Sequence, residues 1–363
     1  MTNERTAPLV SRRGLLALGA AGVALPLLAG CSTAAAGADP YRATLSADDD
    51  LWVETIIDMM RLDDKCAQLC FGPVCTVAGE VAVKDGGEGL EKGLAQTPLG
   101  GVVIDTGNIA SLGQTTVLCD NVRLLSTTSG ALATAFVAMG AGGASLLARV
   151  ASSGGAHALS ASELVELLDE VGVNLYLGPD LDPSTPDNEG ATLKGLAQKG
   201  STYAVQCESS LIVDCPLGFP GAEAARLGPT DEGVRPLVAP FERAVASGAA
   251  MVGFGDFEVP DEGVPATIDP AWVAYLREGL GFEGVVLSGV LDYAADRQGV
   301  SLVDAALAFI EAGGDLLYVD DSPVTVAAAL AEAVCDGRLS EERVDESVRR
   351  ILEVKVSRGI QQF

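Results

Sequence analysis

A single histidine, His157, serves the whole 363-residue chain. Metal cages built on His and Cys need several ligands at set spacings, and no CxxC or Cys/His spacing occurs, so neither a metal nor a cofactor is expected. No loop carries a calcium-binding spacing. Basic residues are scarce: 23 Lys and Arg stand against 50 Asp and Glu, for a formal net charge of −27. Nucleic acid and anionic lipid headgroups are both held by basic surface, which excludes them as partners. Long apolar runs are missing too, since the stretch from Leu15 to Ala29 is too short and too rich in small residues for a good membrane span.

What is present at the N-terminus reads as an address. Ser11-Arg12-Arg13-Gly14-Leu15-Leu16 is a twin-arginine export pattern, and Leu28-Ala29-Gly30-Cys31 has the form of a bacterial lipobox. Residues 1–30 are therefore expected to be a signal peptide. Cys31 becomes the lipidated first residue of a protein anchored on the outer face of the cell membrane. The Ala-, Gly- and Asp-rich residues 31–50 form a tether, and residues 51–359 the domain. Seven cysteines follow Cys31, an odd number. Cys66 and Cys70 would share a helix face, and Cys207 and Cys215 flank an apolar strand. Disulfides and buried free thiols both remain open, and no bridge is assigned.

From Leu51 onward, short apolar runs alternate with amphipathic segments, the mark of repeated βα units on a parallel sheet. The expected strands are 67–71, 101–104, 122–126, 174–177, 209–213, 249–254, 284–287 and 316–319. The expected helices are 51–62, 160–171, 234–246, 270–280, 302–312, 324–335 and 340–357. Asp269 before Pro270, and Ser340 before two glutamates, are helix-start signals, and Gly313 and Gly337 are placed to end helices. Eight strands in about 300 residues fit a (β/α)8 TIM-type barrel, irregular in its third unit.

The loops after these strands would carry Asp105, Asp180, Asp182, Asp214, Asp256, Asp292, Asp320 and Asp321 to one rim. Carboxylates there can bind sugar hydroxyls or move a proton, but Asp is also a common helix cap where a strand gives way to a helix. The strand that should carry the chemistry, Gly284-Val-Val-Leu287, opens into Ser288, Gly289 and Val290. None of these is an obvious catalyst.

The segments Thr267-Ile-Asp-Pro270, Leu280-Gly-Phe-Glu-Gly-Val-Val-Leu287, Ala312-Gly-Gly-Asp-Leu-Leu317 and Leu339–Leu352 together resemble the N-terminal barrel of family 3 glycoside hydrolases, in the β-N-acetylhexosaminidase branch. Leu99–Ile104, Val171–Asp182 (resembling LGINxxFAPVLD) and Phe219-Pro220-Gly221 (resembling the middle of KHFPGHG) follow in the family's order. The resemblance implies a glycosidase fold with carbohydrate as its partner.

For the chemistry, the pattern departs from the family. Its nucleophile is the first Asp of TDDL or TDSL, and Ser288-Gly289-Val290-Leu291 puts Gly289 there. KHFPGHG reads Leu217-Gly218-Phe-Pro-Gly-Ala222-Glu223. The following loop, 224–234, holds Asp231 and Glu232 but no histidine for the family's Asp-His acid/base pair. DQEGG has no counterpart around residues 126–130, and the Arg of RSFG is missing near 188–194. Asp182 keeps a polar, substrate-binding family position. Retaining hydrolysis needs two carboxylates about 5–5.5 Å apart, and Glu223, Asp231, Asp256 and Asp292 are the candidates for a relocated pair. Three readings stay open: a catalytically degenerate glycan-binding or scaffolding lipoprotein, a hydrolase acting on N-acetylhexosamine-containing glycans through rearranged carboxylates, and a protein-interaction lipoprotein. The oligomeric state is not legible.

Overall fold

A computed structural model describes residues 45–128, 131–152, 159–255 and 265–361. Eight strands form one parallel sheet: β1 (Cys70–Pro73), β2 (Gly101–Ile104), β3 (Phe136–Gly140), β4 (Leu175–Asp180), β5 (Val213–Leu217), β6 (Met251–Gly253), β7 (Val285–Val290) and β8 (Leu316–Tyr318). Their spatial order is β5-β4-β3-β2-β1-β8-β7-β6, with helices in the connections. The two ends of this row meet through one bridge between Phe219 and Phe254. Phe219 N–H donates to Gly253 O (3.1 Å), and Gly255 N–H donates to Phe219 O (3.0 Å). The fold is a nearly closed (β/α)8 barrel.

Aromatic packing reinforces this seam. The Phe219 ring meets Phe254, Phe241 and Trp272 edge-to-face, at centroid distances of 5.2, 5.3 and 6.0 Å. All four side chains are buried, and such pairs contribute beyond their buried area.

The local start and stop signals act as expected. Ser340 accepts Arg343 N–H, Asp269 accepts Ala271 N–H, and Gly313 and Gly337 adopt φ of +105° and +72°. Helix 160–171 was expected from its first residue to its last; it runs Ala161–Val171 with Ser160 as its cap. The first helix starts earlier than expected, at Ala47, because Ser46 and Asp49 form a capping box.

The third strand is a correction. Residues 122–126 lie inside the helix Leu112–Thr128, whose buried Leu118, Cys119, Val122 and Ser126 follow helical spacing. The strand comes fourteen residues later, in the Ala-rich stretch around Phe136. Likewise Ala67 lies in the helix Leu62–Gln68 before β1, and Ser209 closes the helix Leu193–Ser209, so β5 begins only at Val213. Cys66 and Cys70 fall on a helix and a strand rather than on one helix face. All seven described cysteines are free thiols. No helix among the described residues is long and apolar enough to cross a membrane.

Asp315, just before β8, organises the far side of the barrel. Its wholly buried carboxylate accepts Val286 N–H (2.9 Å), Ser347 Oγ–H (3.0 Å), Arg350 Nη1–H (2.8 Å) and Arg277 Nη2–H, and lies 3.6 Å from Arg343. Arg277 reaches it from a π-turn, Tyr275–Gly279, that widens the end of the helix begun at Pro270. Further along the C-terminal helix Glu341–Ser357, buried Lys355 donates to Gln68 Oε1 (2.7 Å) and Gly100 O (3.1 Å), fastening the helix beside β1 and β2.

Burial alone would raise the Asp315 pKa, but Arg277, Arg350 and Arg343 outweigh it and hold the group below the ordinary carboxylate range. Its contribution is therefore present above the unfolded-state value of about 3.9 and lost as pH falls through the lower folded value. Asp315→Asn, which leaves the arginines uncompensated, should cost about 3–5 kcal/mol in urea unfolding at pH 7. The gap from wild type should narrow below about pH 4; an unchanged midpoint at pH 7 would refute the role.

Candidate functional site

In a (β/α)8 barrel the C-terminal ends of the strands form the face where chemistry is placed. β7 ends in a bulge, its register with β8 shifting between Leu287 and Val290. Ser288 spans the bulge: its Oγ accepts Tyr318 N–H (2.9 Å) and donates to Gly289 O (2.7 Å), and the residue is 2% exposed. Gly289 is buried beside it. The one hydroxyl at this strand end therefore joins β7 to β8.

The ends of β4 and β5 are tied together in a similar way. Asp182 accepts Ser184 N–H (3.0 Å), Ser184 Oγ–H (2.6 Å) and, across the gap, Ala222 N–H (3.2 Å). It is 1% exposed, so its carboxylate faces protein donors. Asp180 accepts Asp182 N–H (2.8 Å), and burial, the largest cause, raises its pKa. Buried Asn188 donates to the carbonyls of Asp180 (3.1 Å) and Asp182 (2.8 Å) and accepts Lys199 Nζ–H (2.8 Å). Gly218 sits at φ +95°, and a Cβ there would lie 3.0 Å from Asp180 Oδ1 and 3.1 Å from Asp182 Cβ. Only glycine takes this backbone without strain.

β6 offers no polar side chain. Phe254 faces the helix layer, packing on Phe219 and Phe309, so Gly253 faces the lumen. A Cβ on Gly253 would meet Leu217 Cδ2 at 2.4 Å, Cys215 Sγ at 3.2 Å and Leu287 Cδ2 at 3.5 Å. Apolar side chains fill the lumen at this level.

The candidate carboxylates serve separate contacts. Asp292 accepts Asp320 N–H (2.7 Å) and Asp321 N–H (3.3 Å), fixing the loop after β8. Exposed Asp231 accepts Gly233 N–H (2.7 Å), an Asx turn. Exposed Glu223 pairs with Arg226 one helical turn on (2.8 Å). Asp320 lies close enough to Asp292, Asp321 and Asp105 for its pKa to be raised, with burial the largest cause and these charges adding to it. Asp214 is a wholly buried residue within β5, its pKa raised to about 6 chiefly by burial. Asp256, His157 and Cys31 lie outside the described residues. Among the described residues, no group of His, Cys, Asp and Glu could hold a metal ion. With β3 relocated, the segment that follows it is Gly140-Ala-Gly-Gly-Ala144, which has no carboxylate or other polar side chain.

Beside the mouth is a cavity of about 840 Å³ that includes Tyr176, Lys199 and Tyr203. No motif in the sequence singles out any of the three for chemistry. Lys199 and Tyr203 share a helix face at i,i+4 spacing, which is a legible signal, but their meeting with Tyr176 on β4 is not.

Residues 231–354 match the glycosyl hydrolase family 3 N-terminal domain. In fold the chain is similar to a family 3 β-N-acetylglucosaminidase from Paenibacillus sp. (TM-score 0.68, 23% identity, 84% of this chain and 64% of that one). It is also similar to a β-N-acetylhexosaminidase from Beutenbergia cavernae (TM-score 0.64, 18% identity, 83% and 99%) and a family 3 glycosyl hydrolase from Mycobacterium smegmatis (TM-score 0.62, 21% identity, 82% and 98%). The chain thus spans just under two thirds of the Paenibacillus enzyme. No curated protein matches it in sequence.

Gly218→His, which puts the first histidine of KHFPGHG at its position in this segment, should destabilise the protein by roughly 1–3 kcal/mol through the left-handed backbone and bring no glycosidase activity. Thermal unfolding with an aryl-glycoside assay checks both; a stable, active variant would show that the β5 end is open.

Proposed function

We propose that this chain, whose barrel is similar to those of family 3 glycoside hydrolases and whose residues 231–354 match that family's N-terminal domain, is an exported, lipid-anchored member of the family that binds glycan and has lost its reaction. One observation carries the reading. At the end of β7, where the family sets its nucleophilic aspartate, this chain has buried Gly289, and the neighbouring Ser288 hydroxyl is engaged with Tyr318 and Gly289 itself. Retaining hydrolysis needs a nucleophilic carboxylate at that strand end and a second carboxyl group opposite it. Glu223, Asp231 and Asp292 are each held by a different local partner, which argues against their acting as a relocated pair. Loss of the nucleophile together with the cationic sugar clamp, which now reads Leu217-Gly218, fits relaxed selection for catalysis better than a shift of mechanism.

Carbohydrate remains the partner that the fold supports, since the similar solved structures are named as enzymes of N-acetylglucosamine and N-acetylhexosamine glycosides. The anchoring rests on the sequence alone: twin Arg, apolar run and Cys31 in order.

The purified chain should not release nitrophenol from an aryl N-acetylglucosaminide above the no-enzyme rate. Turnover abolished by Asp292→Asn or Glu223→Gln would replace this reading with the rearranged hydrolase. In cells, Cys31→Ser should move the protein from the membrane to the soluble fraction; unchanged fractionation would remove the anchor.

A further inference from the structure

The polar groups described at the barrel mouth are largely taken up by the protein itself, yet a short distance away a set of polar side chains forms no hydrogen bond, with Asp187 near enough to Lys199 to favour its charged form. The cavity of about 840 Å³ lies between the helices Ala141–Ala151 and Leu193–Ser209, on the outer face of β4. Its position follows from Tyr176, which leaves β4 away from the lumen and stacks on Tyr203 of the second helix at 5.5 Å between ring centroids. The volume falls within the range of small-ligand sites, about 300–1,000 Å³. One wall is the small-residue side of the first helix, Ala141, Ala144 and Ala148, which keeps the space open.

Four side chains on the lining, Thr106, Ser145, Arg149 and Asp187, form no hydrogen bond or ion pair with any described residue. Lys199 is held by Asn188 Oδ1 (2.8 Å) and Asp180 O (3.2 Å), which leaves one of its three N–H groups unassigned.

We infer that this off-axis groove, and not the barrel mouth, is the glycan site, and that it takes a short saccharide carrying a carboxylate. The inference rests on the glycan-binding reading above and assigns that reading a place and a ligand class. A pyranose has an apolar face and a rim of hydroxyls, which matches half-buried Tyr203 beside the hydroxyls of Thr106 and Ser145 and the carboxylate of Asp187. The charge narrows the class. A chain of net charge −27 repels an anion over most of its surface, whereas here Arg149 and Lys199 outnumber Asp187. An unpaired guanidinium is a bidentate partner for a sugar carboxylate.

Calorimetric titration of the purified full chain tests this with two probes: the disaccharide of N-acetylglucosamine and N-acetylmuramic acid, which carries a lactyl carboxylate, and neutral chitobiose. The acidic disaccharide should bind more tightly than chitobiose. Arg149→Ala, at an exposed position that should not disturb folding, should weaken it about tenfold, equivalent to about 1.4 kcal/mol, and Tyr203→Ala should weaken both probes. Asp320→Asn at the mouth should change neither. Binding lost in Asp320→Asn but kept in Arg149→Ala and Tyr203→Ala would overturn the groove while leaving glycan binding intact. Equal affinity for the two probes would overturn the carboxylate assignment. No binding of either probe to the wild-type chain would overturn both the groove and the glycan-binding reading.

Discussion

A parallel barrel closes only if its first and last neighbours in the sheet meet, and here the backbone hydrogen bonds of that closure fall on one residue, with Asp214 of β5 accepting Ala250 N–H beside them (3.2 Å). Phe219 supplies both backbone hydrogen bonds of the β5–β6 seam and packs its ring against Phe241, Phe254 and Trp272. The residues on either side of it are constrained in turn. Gly218 takes a left-handed backbone against Asp180 and Asp182, and Ala222 donates to the Asp182 carboxylate. This segment thereby joins β4, β5 and β6.

The same logic applies on the opposite side of the barrel. The Ser288 hydroxyl spans the β7 bulge, Asp292 fixes the loop after β8, and Asp315 gathers three arginines beneath them. Carboxylates that looked from the sequence like a reactive rim are in the structure mostly acceptors for nearby backbone N–H groups. Such groups stabilise local turns and caps. With their oxygens facing the protein, they are poorly placed to meet a substrate.

Much of the architecture was legible because barrel strands are short buried runs and barrel helices are amphipathic. Helix 160–171 and strand 101–104 could be read almost to the residue. The failure at 122–126 came from period: Val122, Leu124 and Leu125 look like a short apolar run in isolation, but Val122 and Ser126 lie with Leu118 and Cys119 on one buried face of a helix. The real strand, Phe-Val-Ala-Met-Gly, was hidden in Ala-rich surroundings. Site residues were harder. Gly289 could be read by position, since a missing side chain is visible in sequence. That Asp182 faces Ser184 and Ala222, or that Tyr176 meets Tyr203 27 residues later, depends on how loops and helices pack, which no local pattern encodes.

Covalent trapping tests most directly the proposal that no nucleophile serves this barrel. A retaining glycosidase forms a glycosyl-enzyme ester, and an activated 5-fluoro N-acetylglucosaminyl fluoride makes that ester accumulate. After prolonged incubation with the reagent, intact-protein mass spectrometry should show the unmodified mass alone. A shift by one glycosyl unit, mapped to Asp292, Glu223 or any other carboxylate, would contradict the account and identify the residue that carries the reaction.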